Sequence, residues 1–340
     1  MYWEGLYMSI IEKLRINAGK KNKSIIFSDG NDERTIKAAH ELISNKLCRP
    51  SLIGDREYIM PIYSKLNPES DLDIIDINNK SYTETLAAHY YEKRKSKGET
   101  MESALEAVKR PCYFGAVAVD CTLFDGCVAG SLSSSAEVLR GALRGIGIKK
   151  GMSKISSFII LETPLKEYGT DGIFFMADIA INPYPDSITL ADIAVSTADT
   201  YKLLMEDEAR VALLSFSTLG SAEGESVDKA REALKIVKEN RPDILIDGEI
   251  QFDAALTYEV GRRKAPESKV AGRTNVFIFP NLDAGNIGYK ITERMCKGAT
   301  ATGPILQGLA KPMNDLSRGC SYMDIVNTAL VTIFQSENKS

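Results

Sequence analysis

The chain has 340 residues, of which 44% are hydrophobic and 26% charged, with a formal net charge of −4. That length allows two domains of ordinary size around real cores. The weak charge and the lack of a long basic stretch argue against nucleic acid as a partner, and no apolar run reaches the roughly 18 residues of a membrane helix.

The N-terminus, Met1-Tyr2-Trp3-Glu4-Gly5, lacks the basic start and apolar middle of a signal peptide. Met8 to Leu14 reads as the start of an amphipathic helix, so residues 1–7 are either an upstream start or an added tail. From there, apolar strand-like runs alternate with helical segments. Strands are expected at Ser24–Ser28, Pro50–Gly54, Phe124–Val128, Ile155–Leu161, Val211–Phe216, Ile244–Asp247 and Asn275–Phe279. Helices are expected at Glu33–Asn45, Thr83–Lys97, Met101–Val108 and Ser133–Ile146. This alternation implies α/β layers with mostly parallel sheets. The glycine-rich, basic stretch Gly145–Gly151 marks a domain boundary, and a second crossing falls near Ala301–Pro304. The expected division is a first α/β domain of residues 1–150 plus 305–340 and a second of 151–304. Sheets of this kind bind ligands beyond the carboxyl ends of their strands, so a cleft between the domains is the expected site.

Six cysteines (Cys48, Cys112, Cys121, Cys127, Cys296 and Cys320) form no CxxC pair, which fits reduced thiols in a cytoplasmic protein. The only histidines, His40 and His89, lie in helical patterns, so neither a Ser-His-Asp triad nor a histidine-rich metal site is supported. The chemistry is expected to rest on Asp, Arg, Ser or Lys.

Three segments share a strand, a Ser/Gly loop and a helix: Phe124–Arg140, Leu214–Ser221 and Phe279–Lys290. Backbone N–H groups and hydroxyls at such helix starts suit an anion such as phosphate, although none matches a nucleotide fingerprint. Ser134 also reads as a helix cap with Glu137 three residues on. Arg140 and Arg144 share a helix face; Arg140, nearer the serines, is the candidate anion ligand. Towards the C-terminus, Asn314-Asp315-Leu316-Ser317-Arg318-Gly319 reads as a polar loop, and Ser321 opens the last helix. Asp324, three residues after Ser321, is either its capping partner or a working carboxylate.

These segments resemble the phosphate acetyltransferase (phosphotransacetylase) family. The resemblance is carried by the run Asn275–Lys290, by Gly303-Pro304-Ile305-Leu306-Gln307-Gly308, by Asn314–Cys320 and by Asp247–Ala255, and it extends in register from about Met8 to Gln335. It implies a fold shared with isocitrate and isopropylmalate dehydrogenases, with two α/β domains and an interdomain cleft, and it implies a homodimer. It also implies the reversible reaction of acetyl-CoA with phosphate to give acetyl phosphate and CoA. Coenzyme A and its acetyl form are then substrates, and no cofactor is held permanently. The family's catalytic Ser-Arg pair and downstream Asp fall on Ser317, Arg318 and Asp324. Its further arginines fall on Arg94 and Arg140, and its phosphate-side lysine on Lys290. Ser134 and Ser135 complete the expected substrate contacts. Two departures stand out. The family's usual His-Ser-Thr-Ala-Asp is Ser133-Ser134-Ser135-Ala136-Glu137 here, and the proline that often follows the second arginine is Gly141. They bear on loop rigidity and acyl-chain preference.

Direct attack by the CoA thiolate on acetyl phosphate requires a proton acceptor, and the resemblance gives that role to Asp324. A free Asp near ~3.9 and a thiol near ~8.5 are mismatched by about 4.6 units, roughly 6 kcal/mol for complete transfer. Burial of the carboxylate and a cation beside the thiol would close the gap. Ser317 would donate to the developing oxyanion, and Arg318 and Arg140 would neutralise phosphate. No metal is needed for this scheme. The rival readings are a butyryl- or propionyl-preferring acyltransferase, a metal- and nicotinamide-dependent hydroxyacid dehydrogenase of the same fold, and a non-catalytic binding module.

Overall fold

A computed structural model of the chain describes residues 8–66 and 71–337. Residues 1–7, with their two readings, lie outside the described part. The strands among the described residues are β1 (Ser24–Phe27), β2 (Arg49–Ile53), β3 (Asp73–Ile75), β4 (Gly126–Ala129), β5 (Ser156–Glu162), β6 (Ile173–Ala177), β7 (Arg210–Leu214), β8 (Leu245–Ile250), β9 (Val276–Ile278), β10 (Thr300–Gln307) and β11 (Met313–Asp315). The chain forms two compact units: one runs to Lys150 and resumes at Leu309, and the other is Gly151–Gly308.

The first unit is built on a sheet of order β11-β4-β1-β2-β3. Every pairing in it is parallel. Successive side chains alternate between its faces. Ile26, Ile53, Cys127 and Ala129 share one core with the helix Pro111–Asp120. That helix opens on Pro111, whose missing N–H costs nothing at a first helical position. Residues 112–119 of it are all buried. It is apolar all round, so it carries no amphipathic period and the sequence reading placed no helix there. On another side of the sheet, the helices Glu33–Ser44 and Tyr322–Gln335 pack on each other and on β1, β2 and β4.

Two expectations are corrected in this unit. Asn314 and Asp315, read as loop, belong to β11, where they pair with Val128 and Ala129. Their polarity hid the strand, because Asn314 is fully buried and spends its amide on Thr332 Oγ1 and Gln335 Oε1, each at 2.8 Å. The helix expected over 133–146 is α-helical only for Ser135–Gly141; it widens into a π-turn over Ala142–Ile146. Gly141 sits so close to the Cys112 carbonyl that a Cβ would lie 2.8 Å from its oxygen. The glycine standing in the place of the family's proline is therefore matched to a tight helix contact here.

The second unit has a sheet of order β10-β5-β6-β9-β7-β8. β6, β9, β7 and β8 are mutually parallel, while β5 and β10 run antiparallel at one edge. β10 pairs with β5 as far as Gln307. Phe174, Met176, Leu214, Ile250 and Phe277 fill a core on one face of the sheet. No helix among the described residues is long and apolar enough to cross a membrane.

Candidate active site

In the first unit the loops that leave β1, β4 and β11 start from three neighbouring strands at the same, carboxyl, end of a parallel sheet. β1 is followed by Ser28-Asp29-Gly30, β4 by Gly130–Ser135, and β11 by Leu316-Ser317-Arg318. The sheet order reverses between β1 and β4, which is the switch point where open α/β sheets open a crevice for ligands. Residues far apart in the chain are thus gathered at one sheet end by topology alone.

Side chains then tie the three loops together. Arg34 donates to the Arg318 carbonyl at 2.8 Å, to the Cys320 carbonyl at 2.7 Å and to the Ser131 carbonyl at 2.8 Å. Its guanidinium is fixed in turn by Asp32, whose carboxylate lies 2.7 Å away. Burial alone would raise the Asp32 carboxyl, but the hydrogen bonds from Arg34 hold it below its ordinary value. Asp29 does similar work on the β4 loop. It accepts from the N–H groups of Gly130, Leu132 and Ser133 at 2.7, 3.2 and 3.4 Å, and from the Ser133 hydroxyl at 2.6 Å.

This corrects part of the anion-loop expectation. The N–H groups of Gly130, Leu132 and Ser133 serve an internal carboxylate, not a ligand. The loop after β7 behaves alike: Ser217 Oγ and Gly220 N donate to Glu249 Oε1 at 3.0 and 2.8 Å. In the third segment Asn281 caps its own helix through the Ala284 N–H at 2.9 Å. Polar loops of this composition can solvate a protein's own carboxylates as readily as a phosphate.

What remains available at the sheet end is the set of exposed side chains. Ser134, Ser135, Arg140, Ser317, Arg318 and Asp324 are all exposed. No hydrogen bond or ion pair engages the guanidinium of Arg140 or of Arg318 among the described residues. Ser134 caps its helix, accepting from Glu137 N at 3.4 Å. The Glu137 carboxylate turns away to Arg110, 3.0 Å distant, so the capping box is only half made. Ser317 Oγ accepts from Gly319 N at 3.3 Å. Asp324 forms a complete capping box: its Oδ2 accepts from Ser321 N at 2.8 Å and Ser321 Oγ at 2.9 Å, while Ser321 Oγ accepts from Asp324 N at 3.2 Å. Oδ1 of Asp324 takes no hydrogen bond among the described residues.

Arg94 ends the helix Lys80–Arg94, with its guanidinium 5.8 Å from the Tyr90 ring centre and 3.7 Å from Glu99. Tyr90 meets Tyr113 edge-on, and Arg110 stacks on Tyr113 at 4.3 Å before reaching Glu137. A chain of ring and charge contacts thus runs from Arg94 to the helix that carries Arg140. Lys290 belongs to the second unit, exposed on the helix Leu282–Met295 with its Nζ 5.9 Å from the Tyr289 ring centre. Cys320 is buried, and burial pushes its thiol up despite the nearby Arg34, so it is a poor nucleophile. Beside the crevice, beyond β1 to β3, a cleft of about 680 Å³ is lined by Asp29, Asp55, Glu57 and Asp76 together with Arg56. Its carboxylates make it a poor seat for phosphate.

Comparison with known proteins decides the family. A sequence model described as "Phosphate acetyl/butaryl transferase" matches residues 9–333. The phosphate acetyltransferase of Clostridium acetobutylicum is 44% identical over 331 residues, covering 97% of this chain and 99% of that protein. The chain belongs to the phosphate acetyl/butyryl transferase family. A crystal structure of a phosphotransacetylase from Streptococcus pyogenes matches with a TM-score of 0.91 at 40% identity, covering 98% of this chain and 100% of that one. A structure described as a 4-hydroxythreonine-4-phosphate dehydrogenase from Salmonella typhimurium matches at TM-score 0.52 and 11% identity over 93% of this chain and 99% of that one. At that identity the likeness is one of fold alone, and the fold is dehydrogenase-like as expected.

Membership makes the chain a transferase enzyme. The geometry also shows what sequence reasoning passed over: Asp29 and Arg34, with Asp32 behind Arg34, tie the loops together. No local signal distinguishes Asp29 and Arg34, because the loops they hold lie about a hundred to nearly three hundred residues away. Gly130 is a fourth such residue. Its φ is +106°, and a Cβ there would lie 2.6 Å from both Leu316 N and Leu316 O and collide with Asp315 Oδ1. Gly130→Ala is expected to destabilise the enzyme by ~2 kcal/mol or more, through strain and overpacking, and to lower activity in step. Denaturant melts of both proteins, read beside their specific activities, check this.

Proposed function

We propose that the chain is a phosphate acetyltransferase, moving acetyl reversibly between coenzyme A and inorganic phosphate by direct thiolate attack in a ternary complex. The observation that carries this reading is the pair of exposed guanidiniums without a hydrogen bond or ion pair among the described residues, Arg318 in the segment that follows β11 and Arg140 on the helix that follows the neighbouring β4, in a chain that belongs to this family. Free arginines recognise phosphoryl oxygens bidentately. In this reading Arg318 and Arg140 neutralise the phosphate, Ser317 donates to the oxyanion formed as the thiolate adds to the carbonyl, and Ser134 and Ser135 contact the phosphate side. Arg94 holds phosphates of coenzyme A, and Lys290 is the phosphate-side lysine. The enzyme works in the cytoplasm as a homodimer, with no permanently bound cofactor and no metal.

Asp324 takes the thiol proton through Oδ1, the oxygen its capping box leaves open. The Asp324 carboxylate is exposed, and a free carboxylate and a thiol lie about 4.6 units apart. Bound substrates supply the difference by covering Asp324 and placing the thiol beside the Arg318 cation. Thiol release from acetyl-CoA on addition of phosphate tests the reading, with Arg318→Gln as the control that should lose it. Ping-pong kinetics or acetyl labelling of a cysteine would sink direct attack. Relative rates with acetyl, propionyl and butyryl phosphate separate an acetyl-preferring enzyme from a longer-chain one.

A further inference from the structure

Asp315 is the last residue of β11, two residues before Ser317, and only 8% exposed. Its Oδ1 has no hydrogen-bond partner. It is wedged against Gly130, so closely that any side chain on that glycine would strike it. An unpaired buried carboxylate oxygen is costly, and the proposed chemistry makes no use of it. The groups that face Asp315 come from three elements. Asp29 follows β1, Cys112 opens the helix Pro111–Asp120, and the Ser135 hydroxyl begins the next helix. Burial holds the Cys112 thiol neutral, pushed up to about 12. Cys127, on the neighbouring β4, is buried and raised further. The C-terminal helix meets β11 through Asn314, which by strand alternation faces the other way. Among these groups the charged neighbour is therefore Asp29, whose oxygens are already occupied by the β4 loop.

We propose that Asp315 is a positioning residue with two states. Neutral, it braces the Gly130–Ser135 loop against the Ser317-Arg318 segment; ionised, it sets a second buried negative charge beside Asp29 and weakens the hold on phosphate. The inference rests on the phosphate-side reading of this site given above. Burial, opposed by Ser135 and reinforced by Asp29, pushes the Asp315 carboxyl up to about 6. The sign follows from the raised value. The folded protein keeps a proton that the unfolded chain has lost, so this contribution to stability is complete at low pH and disappears as pH rises from about 4 to about 6. The same ionisation raises KM for phosphate, because the added charge repels the anion, and it leaves kcat largely unchanged.

The test is steady-state kinetics of the full chain with acetyl-CoA and inorganic phosphate across about pH 5 to about pH 8, for wild type and Asp315→Asn. Phosphate's own titration is common to both and cancels in the ratio of their KM values. That ratio is expected to rise on the order of fivefold as pH passes through about 6, with a flat kcat ratio. Ser135→Ala, on an exposed residue, removes a group that favours the ionised form, so it should move the midpoint of the rise to higher pH. If Asp315→Asn folds poorly, the pH midpoint of the rise in phosphate KM is compared directly between wild type and Ser135→Ala, and only its position is read, because Ser135 also contacts the phosphate side in the reading above. A KM ratio that stays level, or a midpoint that ignores Ser135→Ala, overturns the inference even if the two proteins differ in pH-dependent stability. Arg318→Gln, assayed alongside, keeps the two readings apart. If it retains full activity, the reading of the site falls. If it is inactive while the KM ratio stays level, only the role of Asp315 falls.

Discussion

Arg318→Gln is expected to lower kcat by at least ~10²-fold, about 2.7 kcal/mol of transition-state stabilisation, with no loss of thermal stability. The two halves of this expectation have separate origins. The guanidinium is exposed and makes no hydrogen bond or ion pair among the described residues, so the fold draws no polar support from it. The backbone of the same residue is held elsewhere, its carbonyl accepting from Arg34 at 2.8 Å. Glutamine therefore inherits the position and loses only the charge and its planar fork of donors. A change confined to KM would move Arg318 from the transition state to ground-state binding of phosphate. A fall in melting temperature would reveal a structural role that the present contacts do not include.

Asp324→Asn is expected to reduce kcat at least as strongly while leaving KM nearly unchanged. The residue serves two masters, and the choice of substitution separates them. The capping box uses Oδ2 as an acceptor for Ser321 N and Ser321 Oγ. An asparagine amide oxygen still accepts from Ser321 N, so the helix Tyr322–Gln335 keeps most of its cap. What disappears is an oxygen able to take a proton. Asp324→Ala, by contrast, removes the cap as well and should cost a further ~1 kcal/mol of stability. If Asp324→Asn turns over normally and only Asp324→Ala is unstable, the carboxylate is a cap and the base must be sought elsewhere.

The local pattern made much of the fold legible. β1, β2, β4, β5, β7, β8 and β9 all lie within a few residues of their expected places, because short apolar runs bounded by Gly, Asp and Ser are strong strand signals. Two of the missed elements have a clear physical cause. The helix Pro111–Asp120 is buried on all sides, so it has no periodicity to detect. β11 is too polar to look like a strand, because its Asn and Asp are accommodated by partners that only the folded chain supplies.

The candidate site divides along the same line. The sequence alone determined the chemical inventory: few histidines, serines and arginines in distinctive runs, and a Ser-x-x-Asp signature that does become a capping box. A resemblance spanning nearly the whole chain supplied the reaction class, and family membership agrees with it. Only the tertiary structure decided which loops are neighbours, because parallel strands far apart in the chain set residues near 29, 130 and 317 at one end of one sheet. It also decided which donors are spent. Asp29 and Arg34 consume the loops' backbone groups, which leaves the exposed arginine and serine side chains for a ligand. The physical reason is that desolvation and hydrogen-bond satisfaction depend on what surrounds a group. That is set by packing across hundreds of residues, not by the few residues on either side.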